Sequence, residues 1–151
     1  MIQRIQSVYL LATFILLAFV AFRPIAEIIN PQGVIFEIGF QGLKDDGGRV
    51  VLNVFPLSIL ISLCLLISFA TLFLYKKRML QIRLCILNIF LMLGLVGLMF
   101  FYVHAAKSHV AGEASYSILF VFPIIGAILT YLALRAIARD EALVRSLDRL
   151  R

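Results

Sequence analysis

The chain has 151 residues, 63% of them hydrophobic, with a mean hydropathy of +1.06 and a formal net charge of +6. A soluble domain is about 45–50% apolar, and one this small hides only about two-thirds of what its unfolded chain exposes, so a water-soluble globule is excluded. The positive charge invites a nucleic-acid reading, but the cations are grouped beside apolar segments rather than spread along a polar face. Membrane orientation accounts for that grouping.

Taken in order, four apolar segments can each span a hydrocarbon core about 30 Å thick, which takes about 20 residues. They run over about 5–22, 54–75, 79–103 and 116–137. In lipid the backbone must bond to itself, so these are helices. The expected fold class is an all-α membrane protein, one membrane domain over 1–151 built as a four-helix transmembrane bundle. An outward loop is expected at 23–53 and a cytoplasmic C-terminal helix at 138–151.

The first segment follows Arg4 and exits through "LAFVAFRPIAE". Bulky residues stand where a signal-peptidase site needs small ones, so an uncleaved helix is expected. In the outward loop "VIFEIGF" alternates, "LKDDGG" supplies turn chemistry and "RVVLNV" is β-branched. The two β-prone runs around Asp46-Gly47 predict one small hairpin, resting on the helix ends because an isolated hairpin is marginal in water. Asp45 and Asp46 are adjacent turn carboxylates, a weak cation signal, and no metal is assigned to them. Pro56 and Pro123 fall in the first turns of the second and fourth helices, where a missing N–H costs little.

Between the second and third helices stands "YKKRMLQIRLCILN", with Lys76, Lys77, Arg78 and Arg83. The tail adds Arg135, Arg139, Arg145, Arg149 and Arg151, whereas loop 23–53 mixes Glu27, Glu37, Asp45 and Asp46 with Arg23, Lys44 and Arg49. Lys and Arg are retained on the cytoplasmic side. Both termini and the Lys76–Arg78 turn are therefore expected inside, and loops 23–53 and 104–115 outside.

Arg83 lies about one turn inside the third span, where it must snorkel to phosphates or find a partner. Asn88, deeper, is expected to hydrogen-bond another helix, with contact to a substrate as the rival reading. Gly94 and Gly97 suggest close helix approach. Cys64 and Cys85 differ in depth by about 7 Å, which disfavours a bridge; both read as small apolar fillers.

The tail "LRAIARDEALVRSLDRLR" is helical in composition, with Leu143, Val144, Leu147 and Leu150 clustered and Glu141–Arg145 a favourable i,i+4 pair. Such a helix would lie on headgroups, dock on a protein or continue the fourth span. Asp140, Glu141 and Asp148 offset its arginines, leaving little field for RNA. His104 and His109 are five apart, with Glu113 beyond, whereas helical metal ligands want i,i+4 spacing. No nucleophile has a base beside it in sequence, no Gly-rich phosphate loop occurs, and no broken repeated halves suggest a transporter. Neither catalysis nor a cofactor is expected.

Three segments, "MIQRIQSVYLL", "YKKRMLQIRLCILN" and "LRAIARDEALVRSLDRLR", resemble a family of small Bacteroidota membrane proteins catalogued as domain of unknown function 4293. The resemblance implies an inner-membrane protein with four spans, no assigned activity and no catalytic residue to carry over. The resembling positions Gln3, Arg4, Gln6, Gln81, Arg83, Asn88, Arg145, Asp148 and Arg149 are polar and expected on the cytoplasmic side.

The leading expectation is a non-catalytic accessory or scaffold subunit of a larger inner-membrane complex, with protein export or insertion as a possible setting. The alternatives are a lipid- or small-molecule-binding membrane protein or transporter using Arg83 and Asn88, and an enzyme whose site the sequence hides. Expected partners are membrane lipids and other membrane proteins, not nucleic acid. The residues expected to meet partner or lipid are Lys76, Lys77, Arg78, Arg83, Asn88, Glu141, Val144, Arg145, Leu147 and Asp148. Pairing of Asp148 or Glu141 with Arg83 or Lys77 is the first contact expected.

Overall fold

The computed structural model describes residues 2–148, with side chains described for 5–75 and 77–144. Four helices are long and apolar enough to cross a membrane: α1 (Ile2–Phe22), α2 (Phe55–Phe73), α3 (Arg78–Val110) and α4 (Phe122–Asp148). At about 1.5 Å per residue α1 and α2 match the hydrocarbon thickness, whereas α3, at about 50 Å, overshoots it. Each helix leaves most of its circumference exposed and buries one narrow stripe. Gln6, Leu10, Thr13, Leu17 and Val20 form the stripe of α1, and Gln81, Cys85, Asn88, Met92 and Leu95 that of α3. Alternating four- and three-residue spacing is the signature of left-handed helix packing. α1 and α3 each pack against both α2 and α4, which closes the bundle.

The fold class departs from the all-α expectation. One end of the bundle carries a five-stranded antiparallel sheet, not a lone hairpin. Its strands are β1 (Ala26–Ile29), β2 (Ile35–Gly39), β3 (Gly42–Asp45), β4 (Val50–Leu52) and β5 (Glu113–Tyr116), in the order β4-β3-β2-β1-β5. The turn at Asp46-Gly47 is where the sequence places it, but β4 returns onto β3, not onto the "VIFEIGF" run. That run is β2, paired with both β1 and β3. A tight turn at Phe40-Gln41 folds in the extra strand, and Gly42 with φ +126° adopts a backbone no side chain tolerates comfortably. Leu43, assigned to turn chemistry by sequence, is fully buried in β3.

β5 belongs to the second loop and adds to the edge of β1, with Ala26 opposite Tyr116 and Ile29 opposite Glu113. Residues 104–115 are therefore not a loop: α3 continues to Val110 and β5 follows almost at once. Ala26, Ile28, Ile38 and Leu43 form the buried side of the sheet and share one core with Leu17, Val20, Met99, Val103 and Ala106. The sheet thus caps the ends of α1 and α3. Ser58 of α2 donates its hydroxyl to the Phe40 carbonyl, tying a second helix to it.

Three smaller expectations are also revised or refined. The tail is not a separate helix, because α4 is continuous to Asp148. Gly94 and Gly97 face outward, and a Cβ at either meets nothing within 4 Å; the packing glycine is Gly126, whose Cβ would lie 3.4 Å from both Met92 Sδ and Thr13 Cγ2. Cys64 and Cys85 are free and buried in different apolar clusters, the first beneath the sheet and the second with Leu10, Ala133 and Ile137.

The halves of the chain share one plan. Each is a helix, a short strand region and a returning helix with proline in its first turn (Pro56, Pro123), and β1 of one half pairs antiparallel with β5 of the other. Gln6 and Thr13 hold the same stripe positions in α1 as Gln81 and Asn88 in α3. All four helices are unbroken through their apolar lengths.

Candidate functional site

Polar side chains inside a span must find partners within the protein, because hydrocarbon offers none. In the α1–α4 seam Gln6 Nε2 donates to Asp140 Oδ2 at 2.8 Å. Seven residues deeper, Thr13 Oγ1 lies 3.0 Å from the Tyr9 carbonyl and 3.4 Å from Thr130 Oγ1, whose own proton goes to the Gly126 carbonyl at 2.8 Å. In the α2–α3 seam Gln81 Nε2 donates to the Thr71 carbonyl at 3.1 Å and Asn88 Nδ2 to Ser68 Oγ at 2.8 Å. Asn88 Oδ1 is buried without a hydrogen-bond partner among the described residues. These are interhelical ties of the kind worth about 0.6 kcal/mol each on average.

The second feature is a cleft of about 730 Å³ at the opposite end from the sheet. It lies between the α2–α3 turn and the last turns of α4, lined by Tyr75, Lys77, Arg78, Met79, Leu80, Glu141 and Val144. The turn is tight because α2 passes through a 3-10 segment, Leu74–Lys76, into α3. Lys77 caps α3 with its carbonyl, which accepts from the Leu80 and Gln81 amides. The Lys77 side chain makes no capping hydrogen bond, and the first turn of the helix holds no acidic residue. One wall therefore carries an exposed ammonium and a half-buried guanidinium, and the other a half-buried carboxylate. Tyr75, Met79, Leu80 and Val144 expose apolar surface at the same place. A groove of about 630 Å³ beside the sheet, lined by Gln41, Asn53, Phe55, Ser58 and Leu66 among others, has no charged lining residue.

The structure brings together Lys77, Arg78, Glu141 and Val144 of the expected contact set. It sets Arg83 apart on the exposed surface of α3 and Asn88 inside the α2–α3 seam. Of the residues expected to pair, Glu141 and Lys77 both line the cleft and Arg83 does not. The side chains of Gln3, Arg4, Lys76, Arg145, Leu147 and Asp148, and Arg149 altogether, lie outside the described residues.

Sequence reading missed Asp140 as the partner of Gln6, and the Thr13–Thr130 and Ser68–Asn88 contacts. The available signal was the seven-residue recurrence of polar residues in apolar stretches, Gln6 with Thr13 and Gln81 with Asn88. His104 and His109 are both exposed on α3, about 140° apart around its axis, so one helix face cannot present both. Among the described residues no group of three or more His, Cys, Asp or Glu converges.

Comparison with known families gives one match. The model for the domain of unknown function (DUF4293) matches residues 2–150. No curated protein matches the sequence.

Proposed function

We propose that this chain, which belongs to that family, is a non-catalytic accessory or scaffold subunit of a larger assembly in a bacterial inner membrane. Both termini and the Lys76–Arg78 turn lie in the cytoplasm in this reading, and the sheet lies outside. The observation that supports it best is the sheet itself. Two separate loops are joined into one platform seated on the bundle, and its edge strands β4 and β5 each have one side without a neighbouring strand. An exposed edge is a template for a strand from another protein, and on β4 Val50 and Val51 are 53% and 55% exposed beside it. The cations Lys77, Arg78, Arg83, Arg135 and Arg139 crowd the other end, which supports the orientation.

Purification of the full chain in mild detergent with quantitative mass spectrometry tests the reading. A partner in stoichiometric yield, lost when residues 141–151 are deleted although the truncated chain still inserts, supports it. Recovery of the chain alone from every mild detergent, or full complementation of a knockout by the truncated chain, would refute the docking role of the tail. The truncation starts at 141 because Asp140 holds Gln6. A second reading, a lipid- or small-molecule-binding membrane protein, is favoured by the amphipathic cleft around Lys77 and Arg78.

A further inference from the structure

We propose that the cleft between the α2–α3 turn and the end of α4 is a specific site for an anionic phospholipid. Its phosphate sits against Lys77 and Arg78, level with Val144, and one acyl chain descends past Leu80. This rests on the lipid-binding reading and gives it a place and a ligand class.

Charge, shape and depth agree. Among the described residues two cations, Lys77 and Arg78, line one wall and one carboxylate, Glu141, the other, so this lining favours an anion. The open cleft of about 730 Å³ has room for a headgroup and the first part of its chains. Met79, Leu80 and Val144 are 45%, 43% and 42% exposed, apolar surface that water would leave uncovered and a lipid covers. The cleft begins where the apolar run of α2 ends, with Tyr75, 58% exposed, at the level where aromatic residues anchor to headgroups. The start of a 33-residue helix, with no acidic residue in its first turn, adds positive potential on the same wall.

Arg83 would snorkel toward the same surface from about 7.5 Å deeper along α3. It does not line the cleft, and with Arg135 and Arg139 it supplies the diffuse field of this end. That difference separates a site from a merely cationic surface.

The test uses the full chain in mild detergent, titrated with phosphatidylglycerol and, separately, phosphatidylcholine, with bound lipid counted by native mass spectrometry. Each cation near an anionic surface is worth about fivefold in affinity, so Lys77→Gln with Arg78→Gln is expected to weaken phosphatidylglycerol binding about 30-fold. Arg135→Gln with Arg139→Gln, which removes the same charge elsewhere, is expected to weaken it less than threefold. Glu141→Gln is expected to strengthen binding, which no folding defect would do. Inorganic phosphate at millimolar concentration is expected not to displace the lipid.

Equal losses from the two double variants would overturn the site and leave the lipid reading standing on surface charge alone. No preference for phosphatidylglycerol over phosphatidylcholine in the wild type would overturn both. Displacement by inorganic phosphate would show an anion site instead of a lipid site.

Discussion

Asn88 is an amide in the apolar part of a candidate span, with one hydrogen bond shown for its two N–H donors and its acceptor oxygen. Its Nδ2 donates to Ser68, while Oδ1 is buried without a partner among the described residues. An unpaired acceptor in low dielectric costs free energy that the donated bond must offset, so the net contribution of the side chain is small. A double-mutant cycle of Asn88→Ala with Ser68→Ala is expected to give a coupling of about 0.6 kcal/mol and no more than about 1.7. Reversible unfolding in detergent micelles measures it. The glycines make the opposite kind of contrast. Gly126 touches α1 and α3 at once, so Gly126→Leu is expected to destabilise the bundle by about 1–3 kcal/mol through overpacking. Gly94→Leu, on open surface, is expected to cost nothing measurable in the same assay. Sequence alone ranks these glycines the wrong way round, because a glycine's helical setting says nothing about which neighbour faces it.

At the level of elements, the sheet depends on one close approach between the two loops. A Cβ on Gly112 would stand 2.6 Å from the Ile29 carbonyl oxygen, a backbone atom that cannot step aside. Gly112→Ala is therefore expected to detach β5. Hydrogen exchange should then rise at residues 26–29 and 113–116 while the apolar lengths of the helices keep their protection. Retained protection in β5 would show that the edge pairing tolerates the methyl group. The preceding residue, Ala111, ends α3 in a left-handed conformation with φ 51°. Ala111→Gly is expected to stabilise the chain by about 1 kcal/mol, measurable in the same unfolding assay.

The four spans were legible because about 20 consecutive apolar residues have one solution in lipid. The Asp46-Gly47 turn was legible from its own chemistry. The sheet was not, since strands of three to five residues carry little local signal and β5 is defined only by a partner in a distant loop. Leu43 shows the same limit: "LKDDGG" reads as a turn until Gly42 is seen to begin a strand. The cleft was half legible. Lys77 and Arg78 stood out by charge, and Glu141 and Val144 by helical spacing, but their meeting required α4 to continue straight past the α2–α3 turn.

At the scale of the whole molecule, a bundle whose seams are tied by polar side chains joins a sheet-capped end to a cationic end. The proposed orientation is central, because the sheet platform and the proposed lipid cleft take their roles from the side each one faces. The most direct test places single cysteines at the two ends of a chain carrying Cys64→Ala and Cys85→Ala, both of which remove buried thiols. Spheroplasts are treated with a membrane-impermeant maleimide before and after permeabilisation. With the sheet outside, Asp46→Cys labels in intact spheroplasts and Lys77→Cys labels only after permeabilisation. Labelling of Lys77→Cys in intact spheroplasts, with Asp46→Cys protected until they are opened, would invert the molecule and contradict the account.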